Sequence, residues 1–171
     1  MKMGKYWVFL ITFALPLLTL SSFVMASDDK ISRQSLRDLK GIYVSVEKLT
    51  PEIEKDGLTS NNIGKDVESM LRKAKIKTLS KGEWFDVTGS PYLYVNANVL
   101  KLPDTKEYIY SVNIALKQNV YPVREPIEIL GAATWSVGGI IGITPSLDKI
   151  RASVREQVGK FIKAYLSVNP S

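Results

Sequence analysis

The chain has 171 residues, contains neither histidine nor cysteine, and carries a formal net charge of +6. This composition excludes the commonest general base, the commonest protein metal ligand, the thiol nucleophile, disulfide bonds and a lipid-bearing cysteine. The sequence therefore argues against an enzyme, and we expect no catalytic residue, no metal site and no cofactor.

An export signal is predicted at the start of the chain. Two lysines precede an apolar run over residues 6–24, and small residues, Val24 and Ala26, stand third and first before Ser27. A signal peptidase accepts this pattern, so residues 1–26 are predicted to be a signal peptide cut between Ala26 and Ser27. Retention as an anchor stays open, because about 20 apolar residues can span a bilayer. Pro16 and the Ser21-Ser22 pair favour cleavage, because such residues are typical of the end of a signal's apolar stretch.

Cleavage would leave one domain of ordinary size. Without residues 1–26 the chain has 145 residues, 21 basic and 17 acidic, and a net charge of +4. Residues 27–40 are polar and are predicted to be a flexible lead-in to a single domain over 41–171. The basic residues are scattered, so we expect no nucleic-acid partner and no stable membrane anchor after cleavage. The predicted location is periplasmic or secreted.

The first half of the domain is predicted to contain a strand, a loop and a helix, in that order. Apolar residues at every second position of 42–46 predict a half-buried strand. The acidic stretch 52–57 is interpreted as a loop. Apolar residues at helical spacing then predict an amphipathic helix from Thr59 or Ser60 to Ala74. A brief strand at 76–79 and an apolar plug at Trp84 and Phe85 are predicted to follow.

The second half predicts three strands and a helix. Alternation over 91–99 and 107–121, joined by a turn at 103–106, predicts a hairpin. A third strand is predicted over 129–137, with the glycine-rich segment 138–142 as its flexible exit. The last helix is predicted to begin at Ser146, with an apolar stripe that includes Phe161 and ends at Leu166.

This element order predicts an α+β fold. We expect a two-layer sandwich in which a mainly antiparallel sheet of four to five strands has two helices on one face. The apolar set on the strands should face the helices, which leaves Tyr43, Tyr92, Tyr94 and Asn96 on the other face. Mixed polar and aromatic surfaces are typical of recognition sites, so these four residues are the candidate binding site. The alternative is a solvated sheet on which the tyrosines only add cross-strand packing.

Enzymatic alternatives find little support in the sequence. Paired carboxylates could serve a hydrolase, but Glu52, Glu54 and Asp56 fall in one predicted loop, where solvation and mutual repulsion are expected. A serine with a lysine base would need a strand-to-helix setting, whereas 80–82 is interpreted as a turn. Segment 138–142 lacks the lysine and hydroxyl of a phosphate loop.

A family resemblance is carried by four stretches, which are 39–47, 89–96, 134–136 and 161–169. They resemble a family of small exported bacterial proteins without assigned function, over nearly all of the chain after the signal. More distantly, the element order is similar to the amino-terminal domain of TolB-type proteins and to the lipoprotein partners of outer-membrane machines. The latter usually carry a lipid-bearing cysteine, which this chain lacks. The resemblance implies no catalytic residues.

The sequence thus predicts a non-catalytic binding or accessory domain of the bacterial cell envelope, with an envelope protein as its partner. The alternative is a domain that binds a small molecule or a glycan on its tyrosine-bearing face. A hydrolase that uses carboxylates is the weaker alternative. The sequence does not fix the partner or the oligomeric state.

Overall fold

The computed structural model describes residues 28–170. The predicted signal peptide and its cleavage site at Ala26 and Ser27 lie outside these residues. Within them, the chain forms a short 3-10 helix, four α-helices and five strands. In chain order these are the 3-10 helix Ser32–Leu36, β1 Ile42–Val46, α1 Pro51–Lys55, α2 Ser60–Lys73, β2 Thr78–Leu79, α3 Lys81–Asp86, β3 Tyr92–Lys101, β4 Tyr108–Val120, β5 Ile129–Thr144 and α4 Leu147–Val168.

The predicted α+β class is confirmed, but the sheet is mixed. Its five strands lie in the order β2-β1-β3-β4-β5. β3, β4 and β5 form an antiparallel meander, whereas β1 pairs in parallel with β2 on one side and with β3 on the other. Parallel neighbours need crossover connections. Helices α1 and α2 supply the first crossover, and α3 supplies the second.

The two long helices form where the sequence predicts them. Thr59 caps α2 by accepting a hydrogen bond from the amide of Asn62, and Ser146 caps α4 by accepting one from the amide of Lys149. Helix α2 contacts β1, α4 contacts β4 and β5, and the two helices contact each other. The predicted end of the α4 stripe is wrong, because Leu166 is 42% exposed.

Two segments predicted to be irregular are helical. Residues 52–57, interpreted from the sequence as a loop, lie largely in α1. Pro51 stands at the first helical position, and the Thr50 side chain accepts a hydrogen bond from the amide of Ile53. The segment 80–82, interpreted as a turn, starts α3. Ser80 and Glu83 form a reciprocal capping box there, which satisfies two amides that would otherwise lack partners.

Strand β5 is longer than predicted. The glycine-rich segment 138–142, expected as a flexible exit, continues the strand through to Thr144. Two of these glycines approach β4 closely: a Cβ at Gly139 would lie 2.4 Å from Asn113 Oδ1, and one at Gly142 would lie 2.8 Å from the Tyr110 ring. Glycine inside a strand commonly marks such an approach.

The hydrophobic core combines residues of the sheet with residues of helices α2 and α4. Trp135 on β5 and Phe161 on α4 are both fully buried and meet edge to face at 5.2 Å between ring centroids. The strand and helix residues predicted to share this core are all buried, and they are Leu93, Val95, Val112, Ile114, Val154, Val158 and Phe161.

Residues 28–40, predicted to be a flexible lead-in, contain the 3-10 helix and contact both α4 and β5. Leu36 is fully buried. The side-chain amide of Asn169 donates to the carbonyl of Leu36 at 2.9 Å, which ties this segment to the end of α4. No helix within residues 28–170 has the length and apolarity needed to cross a membrane.

Candidate functional site: the tyrosine-bearing face of the sheet

The four predicted site residues share one face of the sheet. On β3, Tyr92, Tyr94 and Asn96 are half-buried and alternate with buried residues that face the core. On β1, Tyr43 has the same orientation, since its neighbours Ile42 and Val44 are buried. The parallel register places Tyr43 directly beside Tyr92. This face is called the tyrosine face below.

Helix α3 covers one end of the tyrosine face. The Trp84 ring stacks on Tyr43 at 5.2 Å between centroids and 22° between planes, and it meets Tyr92 edge-on at 5.5 Å. The indole N–H of Trp84 donates to the carbonyl of Ser90 at 2.6 Å, which fixes the ring in place. An entirely open face was expected, and that expectation is wrong at this end. Tyr43 and Tyr92 therefore pack against α3 at this end of the face.

Tyr94 lies beyond α3, in the uncovered middle of the face. Its hydroxyl donates a short hydrogen bond to the carboxylate of Glu47, and the Lys117 ammonium lies 4.0 Å from the centroid of its ring. The hydrogen bond to Glu47, with burial as the second cause, raises the pKa of Tyr94 above its ordinary value. Tyr94 therefore remains a neutral hydrogen-bond donor, held between an anion and a cation.

A groove crosses the middle of the face next to Tyr94. It has a volume of about 410 Å³ and is floored by three strands. Its lining combines an ammonium, amides, hydroxyls and small apolar side chains, from Tyr94, Asn96, Asn113, Ile114, Ala115, Lys117, Ala133, Ser136 and Val137. The groove can thus both donate and accept hydrogen bonds around one positive charge.

Asn96 gives the groove an unused acceptor. Its amide nitrogen donates to the Tyr94 hydroxyl at 3.4 Å, but its Oδ1 is buried and has no partner among the described residues. A buried acceptor without a partner costs about 1–3 kcal/mol. An ordered water, or a ligand N–H or O–H group reached by a small shift of the Asn96 side chain, would remove that cost.

Lys117 gives the groove an unpaired cation. Within residues 28–170 no carboxylate lies within ion-pair distance of its ammonium group, in contrast to Lys101, which pairs with Asp56 at 2.8 Å. The Tyr94 ring holds the Lys117 side chain over the groove. An anionic group on a ligand would find its counter-charge here.

A second pocket of about 410 Å³ lies at the α3 end, lined by Trp84, Phe85, Ser90, Tyr92, Asn119, Leu130 and Gly131. Phe85 is 63% exposed and Leu130 is 72% exposed, so large apolar side chains face solvent on both sides of the pocket. Aromatic side chains of this kind can stack on the apolar face of a planar or cyclic ligand.

The far end of the tyrosine face is aliphatic. Leu100 on β3, Ile109 on β4 and Ile143 on β5 are opposite one another in successive strand pairs, and Ile141 lies two residues from Ile143. All four are exposed. They are called the aliphatic end below.

The acidic residues considered for hydrolysis do not form a pair. Glu52 and Glu54 lie in α1, whereas Asp56 accepts hydrogen bonds from Lys101 and from the Tyr108 hydroxyl at 2.7 Å. The hydrogen bond from Lys101, followed by that from Tyr108, lowers the pKa of Asp56. This carboxylate is therefore held ionised, in a role that joins α1 to the hairpin. Residues 28–170 contain no group of three or more potential metal ligands.

Sequence reasoning missed Glu47, Lys117 and Trp84. Two of these could have been found from the alternation of side chains along a strand. Glu47 continues the alternation of Tyr43 and Ser45, and Lys117 stands at one of the β4 positions that face away from the core. Trp84 could not, because its contact with Tyr43 depends on the crossover through α3. Comparison with protein-family models, with curated proteins and with solved structures finds no match to this chain.

Proposed function

We propose that this protein is a non-catalytic binding domain, exported to the bacterial cell envelope, that holds a segment of a partner protein in the groove beside Tyr94. The observation that carries the proposal is the pair of unused polar groups in one groove, the acceptor Asn96 Oδ1 and the cation Lys117. Export rests on the signal pattern that ends at Ala26.

A protein segment fits the groove better than a small charged metabolite. The groove is open and floored by strands, and its amides and hydroxyls match the alternating donors and acceptors of a peptide backbone. Lys117 would favour a segment that carries Asp or Glu. The net charge of the chain favours the same acidic partners at longer range.

The overall architecture supports this use of the face. We interpret the fold as two layers, because α2 contacts β1, α4 contacts β4 and β5, and α2 contacts α4. The long helices then cover the core side, and the middle of the tyrosine face stays accessible. The proposed role in the envelope also rests on the similarity of this element order to that of TolB-type and envelope accessory domains.

Site-specific photo-crosslinking in living cells tests the proposal. A photoreactive amino acid replaces Asn113, which is exposed in the groove, and a matched control replaces Asn62, which is exposed on α2. We expect a protease-sensitive adduct from the groove position and none from the control. Lys117→Gln should weaken the adduct while circular dichroism stays unchanged. Equal adducts from both positions, or none from Asn113, would refute a groove-bound protein.

A second function is favoured by the aromatic pocket. Trp84, Phe85 and Leu130 offer an apolar surface that could take the ring of an envelope glycan. Titration with soluble cell-wall fragments, followed by tryptophan fluorescence, tests it. Saturable quenching that is lost in Phe85→Ala, and kept in Lys117→Gln, would assign the pocket to a glycan.

A further inference from the structure

The two edges of the sheet are protected to very different degrees. At one edge β2 has two residues, and very short edge strands are a common protection against unwanted pairing. At the other edge β5 has 16 residues and pairs only with β4. Its sequence contains no charged residue and no proline, although charge and proline are the usual means of blocking an edge.

The upstream part of β5 is partly covered. The Ser35 hydroxyl lies 3.3 Å from the carbonyl of Thr134, and the Gln157 amide donates to the carbonyl of Gly138 at 2.9 Å. The pairing with β4 also shifts register at three places before Ile140. Such bulges bend and twist a strand, which makes this part a poor template for a further strand.

The last five residues of β5 are different. Ile140–Thr144 pairs with β4 in unbroken register, from Val112 to Tyr108. Within residues 28–170, no side chain or loop outside β4 bonds to the backbone of 140–143. Ile141 is 81% exposed and Ile143 is 56% exposed. This stretch is therefore regular, uncharged, apolar and uncovered.

We propose that Ile140–Thr144 pairs antiparallel with the same stretch of a second copy of the chain. In a two-fold pair of identical strands a charged residue would lie close to its own copy, and like charges opposite each other destabilise a strand pair, so self-pairing needs an uncharged strand. β5 supplies it. Antiparallel pairing of identical strands is two-fold symmetric and closes after two copies, which removes the open edge.

Ile141 and Ile143, at the β5 edge of the aliphatic end, give this pairing its side-chain contacts. Ile109 and Leu100 lie on the same face but one and two strands away from the edge, so they continue the apolar patch without contacting the second copy. In the dimer this patch would continue across the seam between the two β5 strands, and the two five-stranded sheets would form one sheet of ten strands. The groove beside Tyr94 lies toward the middle of each sheet, so both binding sites would be on the same side of the assembly.

Molar mass in solution tests the proposal on the purified exported protein. We expect sedimentation equilibrium to give twice the monomer mass, and Ile141→Lys to give the monomer. Two controls should keep the dimer: Val123→Lys, at a fully exposed position before β5, and Leu100→Lys, on the same face but two strands from the edge. The Leu100 control separates pairing by edges from packing by faces.

Crosslinking gives a second readout that needs no charged substitution. The chain has no cysteine, so a single cysteine in place of Ile141 or Ile143 can be crosslinked only to the same position of another copy. Identical positions would be diagonal neighbours about 7–8 Å apart across the seam, so we expect a short bis-maleimide crosslinker to give a covalent dimer from either position and none from Val123→Cys. A monomer without crosslinks, a dimer broken by Leu100→Lys but not by Ile141→Lys, or open-ended assemblies would each overturn the proposal.

Discussion

The Asp28 carboxylate accepts a hydrogen bond from the indole N–H of Trp135 at 3.0 Å, across 107 residues of sequence. The same carboxylate accepts two from the Arg33 guanidinium. The start of the described chain is thus joined to the largest side chain of the core. The first residue after the predicted cleavage site, Ser27, directly precedes this anchor.

Asp28→Asn is expected to lower the free energy of unfolding relative to wild type. This loss should be larger at neutral pH than at low pH. The hydrogen bond to Arg33 is the largest cause that lowers the pKa of Asp28 below its ordinary 3.8. A lowered pKa contributes stability that is present above 3.8 and lost as the pH falls through the folded value. We expect a loss of about 1 kcal/mol near pH 7, since both side chains are partly exposed. Urea unfolding between pH 2 and pH 7 measures it, roughly over the range in which Asp titrates. A difference that does not vary with pH would contradict this role.

Phe161→Ala is expected to cost about 3–5 kcal/mol of unfolding free energy, because the ring is fully buried against Trp135 and leaves a cavity. Leu166→Ala is the matched control on the same helix, and it should cost about 0.5 kcal/mol or less since Leu166 is largely outside the core. Chemical denaturation of both variants measures the difference. Similar losses of unfolding free energy at the two positions would mean that α4 is rotated about its axis and buries a different face.

Gly131→Ala is expected to destabilise by about 1–3 kcal/mol. Gly131 has φ of +63°, and an added Cβ would lie 2.8 Å from the Tyr92 hydroxyl. Gly82→Ala is the control, since nothing lies within 4 Å of a Cβ there and the residue is helical. That change should be neutral or should stabilise by up to about 1 kcal/mol. Thermal unfolding of both variants compares the cost of a side chain at Gly131 with the effect of helix propensity at Gly82.

Tyr92 and Tyr94 are expected to differ in what their loss affects. Tyr92→Ser removes the edge-on partner of Trp84 and should cost about 2 kcal/mol of stability. Tyr94→Ser loses contacts with Lys117 and Glu47 that are largely exposed, so it should cost about 1 kcal/mol or less and weaken partner capture. Unfolding curves and the crosslinking yield at Asn113 separate the two effects. If Tyr94→Ser leaves the yield unchanged, the site is elsewhere on the face.

Processing between Ala26 and Ser27 is expected to require a small side chain at position 26. Ala26→Phe should leave the precursor uncut, whereas Met25→Phe should be cut normally because the middle position of the pattern is not restricted. Amino-terminal sequencing of the exported protein should begin at Ser27. A protein that still begins at Met1 in the membrane fraction would instead be an anchored one.

The parts of the fold that depend on local pattern could be predicted from the sequence. Strict alternation fixed the two faces of β3 and β4, and helical spacing with a capping hydroxyl located α2 and α4. Helix α1 was missed because its acidic residues suggested a solvated loop, although Thr50 and Pro51 form a recognisable start. β5 was shortened because its glycines suggested flexibility, and the close approach of Asn113 and Tyr110 is not visible in one strand alone.

The candidate site could be predicted only in part, for a related reason. Alternation of side chains along each strand predicted that Tyr92, Tyr94, Asn96 and Tyr43 share one face of the sheet. The observed register then places Tyr43 beside Tyr92. The cover over Tyr43 and Tyr92 depends on where the chain crosses the sheet. Strand direction and crossover side are set by contacts distant in sequence, which no local period encodes.

The position of β1 inside the sheet, between β2 and β3, bears on the order in which the strands fold. β1 comes first in the chain, yet both of its neighbours come later and reach it by crossovers, β2 at residue 78 and β3 at residue 92. The backbone groups of β1 therefore lack one or both strand partners until about a third of the described chain has followed, whereas β3, β4 and β5 can pair through short connections. Contacts of high sequence separation slow folding, so we expect the meander to form early and β1 to insert late. A chain that emerges with its first strand unpaired stays unfolded for longer, and the export that we propose would require the chain to cross a membrane before it folds.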